Sequence, residues 1–442
     1  MTVDKQRVSG MTAPLRIALA GLGTVGTGVV QLIKENGNLI AERAGRQIEI
    51  TAISARDKGR DRGFDISGFE WVENLEQLAN HGNSDCVVEM IGGSDGPALG
   101  LVRDSLANRK SVVTANKAMI AHHGMELAQL AEANKISLKY EAAVAGGIPV
   151  IKGLKEGASA NQIGRVYGIL NGTCNYILTT MEKHGSDFAD VLKEAQDLGF
   201  AETDPSFDID GVDAAHKLAI LSSLSFGNVI DFEGVDISGI RDIMAADISQ
   251  AKALGYRIRL LGMARIDDGK LFQRVNPYLV PENHPLAHIE GSTNAVVAEG
   301  NYSGRLMFQG AGAGDGPTAS AVVADIIDIA RGENGTVFAS PANQMKAIDR
   351  AASGNRRGKS YIRFVVADKP GVLAEITAAM RDANVSIESL IQTEKTGEGN
   401  VLISMVTHNA VEGDVIKSLE SLSTSKSVTG KPVIMHLLSD DD

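Results

Sequence analysis

Apolar positions along the chain recur in two rhythms. Short apolar runs at 15–20 (LRIALA), 47–54 (QIEITAIS), Asp85–Met90 and Ser111–Thr114 are separated by helical stretches, the first of them Thr24 to Asn36. Such runs predict strands, and strands alternating with helices predict a parallel, doubly wound α/β sheet. From about Glu141 the texture changes: Gly-Ile-Pro, Asn-Gly-Thr and a long loop around Ala201–Gly211 lead into a helix at about Val212–Leu224. Residues 141–310 therefore read as a second, α+β domain that supplies the chemistry. Residues 311–331 return to small residues and a helix, and rejoin the first domain, 15–140.

A polar, basic stretch at 342–360 reads as a linker. Beyond it, 361–368 (YIRFVVAD) alternates like a strand, and Val372, Leu373, Ile376, Ala379 and Met380 fall at helical spacing. Val385–Lys395 and Val401–His408 read as strands joined by a glycine-bearing hairpin, Thr396–Asn400. Ala410–Leu422 is a second helix and Pro432–Leu438 a last strand. The order βαββαβ predicts a ferredoxin-like unit at 361–442.

Length agrees with several domains, since 442 residues exceed what one core usually holds. A net charge of −12 disfavours a polyanion, so nucleic acid is not an expected partner. No apolar run reaches the length of a membrane span. Residues 1–14 read as a loose polar tail, with Met11 a candidate natural start. Cys86 and Cys174 lie far apart without metal-type spacing, which fits a reducing, cytoplasmic setting.

Chemistry enters with Gly21, Gly23 and Gly26, a G-x-G-x-x-G placed after a strand and at the opening of a helix. In that context the first glycine permits the tight turn, the second lets a pyrophosphate approach, and the third packs helix on strand. Leu22, Thr24 and Val25 complete the turn, so a Rossmann domain binding a nicotinamide dinucleotide is expected. The second strand ends Ile53-Ser54-Ala55-Arg56-Asp57-Lys58. Arg56 and Lys58 favour the 2′-phosphate of NADP, while Asp57 leaves NAD open.

Three further stretches carry candidate reaction chemistry. Thr114-Ala115-Asn116-Lys117 closes an apolar strand, where ligands of open α/β sheets bind. Gly168–Leu178 (GILNGTCNYIL) is a glycine-bearing loop running into a helix. Leu198–Lys217 (LGFAETDPSFDIDGVDAAHK) holds Glu202, Asp204, Asp208, Asp210 and Asp213, then Lys217. Asp213 and Lys217 share a helix face, an arrangement that alone means no more than a surface ion pair of ~0.3–0.5 kcal/mol. The acids do not have the spacing of an EF-hand loop.

Together these segments, with EAAVAGGIP at 141–149 and GAGAGDGPTASAV at 310–322, resemble homoserine dehydrogenase along nearly the whole chain. The resemblance implies interconversion of L-aspartate 4-semialdehyde and L-homoserine with NAD(P), a step serving threonine, methionine and, through threonine, isoleucine synthesis. By motif match Lys217 is the catalytic acid/base and Lys117 a second essential lysine. Glu202, Asp208, Asp213, Gly172 and Thr173 match substrate-binding positions. Thr114, Lys117, Gly199 and Gly314 match positions lining the cofactor. Glu141, Val144, Gly146 and Ile148 match a structural monovalent-cation site, usually sodium, built largely of backbone carbonyls. Cys174 stands where many members carry a second threonine, and is expected to be a packing change. A homodimer or homotetramer is implied.

Asp368-Lys369-Pro370-Gly371-Val372-Leu373 is similar to the signature of the ACT domain, an amino-acid sensor. Asp368, Pro370, Gly371, Val372, Leu373 and Asn384 are its candidate effector residues, and threonine the expected inhibitor. No kinase-type sequence precedes the glycine fingerprint. Two other readings stand beside this one: a different amino-acid NAD(P) dehydrogenase, or a catalytically inactive amino-acid sensor.

Overall fold

The computed structural model describes residues 13–392 and 400–439. Most of the expected N-terminal tail, and the hairpin turn apart from Asn400, lie outside the described residues. The chain divides into two compact units: Met1–Val166 with His216–Glu233 and Asn294–Ile348, and Tyr167–Ala215 with Gly234–Thr293 and Asp349–Asp442. The parallel nucleotide-type sheet lies in the first and the βαββαβ unit in the second.

The first unit is built on six strands: β1 (Leu15–Ala20), β2 (Ile48–Ser54), β3 (Glu70–Trp71), β4 (Cys86–Glu89), β5 (Ser111–Thr114) and β6 (Leu138–Lys139). They pair in the order β3-β2-β1-β4-β5-β6, all parallel. The strand order reverses between β1 and β4, so a crevice opens at their carboxyl ends, where such sheets bind ligands. Ile17, Leu19, Val88 and Val113 are fully buried and pack with Val29 and Val30 of helix Thr24–Glu35. Helix Asp315–Arg331 adds Val322 and Ile326 to the same core, from the stretch expected to rejoin this domain. Contact between the two helices is close: a Cβ at Gly28 would sit 3.2 Å from that of Ala319.

In the second unit, strands Tyr256–Asp267 and Lys270–Pro281 form a long antiparallel hairpin. Its turn is Asp268-Gly269, with φ of 48° and 75°, the positive pair that a two-residue hairpin turn prefers. The C-terminal part follows the expected βαββαβ order: Ser360–Ala367, helix Val372–Asp382, Ile387–Gln392, Asn400–Thr407, helix Glu412–Ser421 and Val433–Leu437. Its sheet is antiparallel, and Phe364, Ile376, Met380, Ile403 and Met405 fill the core beneath the two helices.

This C-terminal sheet also joins the hairpin. Val433–Leu437 pairs parallel with Lys270–Pro281, placing His436 opposite Tyr278. Two buried charge clusters reinforce the join. Arg363 and the Tyr361 hydroxyl both donate to Asp247 at 2.9 Å. Arg274 donates to both oxygens of Glu412 at 2.9 Å. Burial pushes the Asp247 carboxyl up, and the Arg363 guanidinium opposes the shift. The basic stretch 342–360 runs along neighbours: within the first unit Lys346 bridges to Asn228, and within the second Arg350 bridges to Leu271. Among the described residues no helix is long and apolar enough to cross a membrane.

Candidate active site

The carboxyl ends of β1, β2 and β4 border a cavity of about 490 Å³ lined by Gly21, Leu22, Gly23, Arg56, Arg60 and Arg62, among others. Gly21 has φ +96°, and a Cβ there would meet the Met90 carbonyl oxygen at 2.4 Å. At Gly26 it would meet the Gly21 carbonyl oxygen at 1.9 Å, so this turn closes only without side chains. At Gly23 a Cβ would meet nothing within 4 Å, which is the open approach a pyrophosphate needs. Gly23 caps helix Thr24–Glu35 without a side-chain hydrogen bond, so the first turn, with Thr24 and Val25, keeps amide N–H groups for an anion. The residues present fit a dinucleotide.

The basic groups are distributed differently from the sequence reading. Arg56 lines the cavity, whereas Lys58 lies over the Trp71 ring at 5.7 Å. Arg60 and Arg62 join Arg56 instead, and Arg62 is steadied by the Asp57 and Arg60 carbonyls and by the same Trp71 ring at 5.9 Å. Their signal in the sequence was the basic run Arg56–Arg62 continuing past the strand end. Gly314 caps helix Asp315–Arg331 with φ 111°.

Lys117 opens helix Lys117–Asn134, directly after β5. Asn116 caps that helix by accepting from the Met119 N–H at 3.1 Å, and its amide donates to the Gly93 carbonyl at 2.6 Å. Beside it the buried Glu89 accepts from the Ile91 and Gly92 N–H groups and from the Thr114 hydroxyl. Thr114 thus braces the strand end that presents Lys117. One turn further on, His122 Nε2 lies 3.1 Å from His216 Nε2, and the His216 ring stacks on Phe232 at 4.3 Å. His216 immediately precedes Lys217, which is 8% exposed. The sequence reading missed Glu89 and both histidines, since nothing in their spacing marks them.

The carboxylates resolve into separate roles in the second unit. Asn171 caps helix Gly172–His184 and its amide nitrogen donates to Asp208 at 2.8 Å and to Asp213 at 2.9 Å. Thr173 donates to Asp208 at 3.2 Å and to the Phe200 carbonyl at 2.9 Å. Asp208, Asp213, Gly172 and Thr173 therefore converge, with Asn171 as the hub that sequence reasoning missed. Asp204 and Asp210 serve the backbone and surface instead, accepting from the Ser206 N–H and from Arg241. The Glu202 carboxylate is exposed and has no partner among the described residues. Gly199, at φ +77°, closes helix Phe188–Asp197. Cys174 is buried and donates to the Asp208 carbonyl at 3.2 Å. Asp213 and Lys217 stand four apart on the helix Val212–Phe226.

Glu141 and the segment Val144–Ile148 lie in the first unit. Val144, Gly146 and Ile148 are buried, and Ala145 and Gly146 have successive positive φ of 59° and 53°. A Cβ at Gly146 would strike the Gly312 backbone at 2.6 Å. The Glu141 carboxylate accepts from the Ile151 and Lys152 N–H groups, both at 2.9 Å. Burial, then the nearby Asp325, pushes its pKa up to about 7. No cluster of three or more His, Cys, Asp or Glu side chains fit for a metal occurs among the described residues. A cation here would rely on backbone carbonyls, and the buried, under-compensated carboxyl fits one.

In the C-terminal unit Gly371 has φ +95° and caps helix Val372–Asp382 without a side-chain bond. Val372 is buried and Leu373 is 40% exposed. Asn384 has φ +58° just beyond the helix, so its place is also set by the turn it makes.

Family models match residues 21–141 as the NAD-binding domain of homoserine dehydrogenase, 149–327 as homoserine dehydrogenase, and 360–424 as an ACT domain. The homoserine dehydrogenase of Neisseria gonorrhoeae is 42% identical over 428 residues, covering 96% of this chain and 98% of its own. The chain belongs to the homoserine dehydrogenase family. A crystal structure of homoserine dehydrogenase from Thiobacillus denitrificans superposes with a TM-score of 0.90 at 40% identity, covering 97% of this chain and 99% of that one. A hyperthermophilic archaeal homoserine dehydrogenase in complex with NADPH matches at a TM-score of 0.63 and 28% identity, over 74% of this chain and all (100%) of that one. A homoserine dehydrogenase is an oxidoreductase of the CH–OH group, so the cavity at Gly21–Gly26 belongs to its NAD(P)-binding domain. The C-terminal βαββαβ unit is its ACT domain.

Proposed function

We propose that this homoserine dehydrogenase interconverts L-homoserine and L-aspartate 4-semialdehyde, with Lys217 as the acid/base and NADP as the preferred coenzyme. The nicotinamide supplies the hydride acceptor in one direction and the donor in the other. Lys217 takes the hydroxyl proton as the carbonyl forms, and returns it to the nascent alkoxide in reduction. Lys117 adds a second positive charge for that oxygen. Glu202 pairs with the substrate α-ammonium, while Asp208 and Asp213, fixed through Asn171 and Thr173, set the position of the substrate and of the lysine one turn on. The observation that carries this reading is the Asn171–Asp208–Asp213 network, with Asn171 and Asp213 buried, at the start of the helix bearing Lys217.

NADP preference rests on Arg56, Arg60 and Arg62 along the cofactor cavity. Glu141 with the carbonyls of Val144, Gly146 and Ile148 would hold a sodium ion as a structural brace. Threonine acts as feedback inhibitor at Asp368–Leu373 and Asn384, and the enzyme works in the cytoplasm as a dimer or tetramer on the path to threonine, methionine and isoleucine. Turnover of homoserine with NADP⁺ and NAD⁺ in turn, with and without threonine, tests the set. Absence of homoserine-dependent reduction with either coenzyme contradicts the reaction, and indifference to threonine contradicts the regulation.

A further inference from the structure

A cavity of about 690 Å³ in the second unit, none of whose lining residues belongs to the Asn171 network, lies between helix Gly172–His184 and the start of strand Tyr256–Asp267. Its lining is charged. Arg259 is fully buried, and Arg257 stands beside it on the same strand face. Both guanidiniums lean on one carboxylate: Glu182 accepts from Arg257 at 2.6 Å and from Arg259 at 3.0 Å. The terminal nitrogens of Arg259 also donate to the Ile258 and Ala287 carbonyls. The Nε of each arginine is buried without a hydrogen-bond partner among the described residues. Lys252 on the lining adds a further positive charge. Arg257 also has Glu282 3.9 Å from its Nε, yet a quarter of its side chain stays exposed, so it and Lys252 can meet a ligand carboxylate. On the same wall Glu290 offers negative charge.

We propose that this cavity binds a free α-amino acid, its carboxylate on Arg257 and Lys252 and its ammonium toward Glu290. Charges of both signs distinguish this ligand from a simple anion. The site lies in the catalytic part of the chain and is independent of any effector site in the C-terminal unit. It gives the enzyme a second place at which an amino acid can alter stability or turnover.

The test is titration calorimetry of the full-length chain with a panel of protein amino acids, with acetate and inorganic phosphate as controls. Arg257→Met and Lys252→Met lie outside the proposed reaction site, and retained homoserine turnover would verify their fold. At least one amino acid is expected to bind wild type and Asn384→Ala alike, yet lose tenfold or more in affinity in both Met variants. Glycine should bind more tightly than acetate. If no amino acid loses affinity in both Met variants, or if acetate or phosphate binds as tightly as the amino acids, the proposal is overturned.

Discussion

The Nε2 atoms of His122 and His216 lie 3.1 Å apart and tie the helix that opens with Lys117 to the helix that carries Lys217. One ring donates and the other accepts, so the pair fixes a relative register for the two lysines. His122→Phe keeps an aromatic ring but loses that bond. Turnover is expected to fall by about tenfold or more, with a small change in KM, because misplacement by about 1 Å can cost ~10²-fold. His122→Gln can restore a polar contact to His216 and should recover most of the rate. Equal loss in both variants would assign the pair to packing alone.

Arg56, Arg60 and Arg62 line the cavity together, so the 2′-phosphate preference should be shared. Arg56→Ala is expected to lower the NADP/NAD ratio of kcat/KM by about tenfold, with Arg60→Ala adding to it, at ~1.5–3 kcal/mol per charge-assisted bond. An unchanged ratio in the double variant would place the phosphate elsewhere or mean that NAD is already preferred.

His436 is fully enclosed by Arg274 at 2.8 Å, Arg356 at 3.3 Å and the Tyr278 ring, with Glu412 3.7 Å away. Burial, then the two guanidiniums, hold its imidazole well below the ordinary value of 6.5. The unfolded chain therefore takes up a proton near pH 6.5 that the folded chain refuses. Stability present above that pH is lost as pH falls below it. Thermal melts from pH 7.5 to 5 should show a steeper decline for wild type than for His436→Asn. Parallel curves would contradict the assignment.

Much of the first unit was legible because its signals are local. The strand at 15–20 and the three glycines of the fingerprint fall where the apolar run and the turn geometry place them. The hairpin Tyr256–Pro281 was not foreseen, although Asp268-Gly269 marks its turn. Its strands are buried along most of their length and carry Arg259 and Arg274 inside, which hides the alternation that marks a half-exposed strand. Lys217 and Asp213 were singled out by resemblance, since their spacing alone means no more than a surface ion pair, whereas Asn171, 42 residues from Asp213, becomes visible only when the chain is folded.

The join between the ACT sheet and the hairpin bears on how regulation can be probed. Cutting the chain near Ser360 would remove Arg363 from the buried Asp247 and Glu412 from the buried Arg274. Leaving the buried Asp247 without its arginine typically costs ~3–5 kcal/mol, while Arg274 keeps Asp236 at 3.0 Å and loses less. A truncated enzyme is therefore expected to melt well below the full chain, and Asn384→Ala is the cleaner variant for threonine response. A truncated chain with an unchanged melting temperature would show that the join contributes little.

The central claim is that Lys217 moves the proton in homoserine oxidation. It is tested most directly by single-turnover hydride transfer from L-homoserine to NADP⁺ in Lys217→Ala, with coenzyme binding measured on the same sample. The account predicts a fall of ~10²-fold or more in the transfer rate with coenzyme affinity nearly intact. A variant that keeps more than about a tenth of the wild-type rate would contradict it.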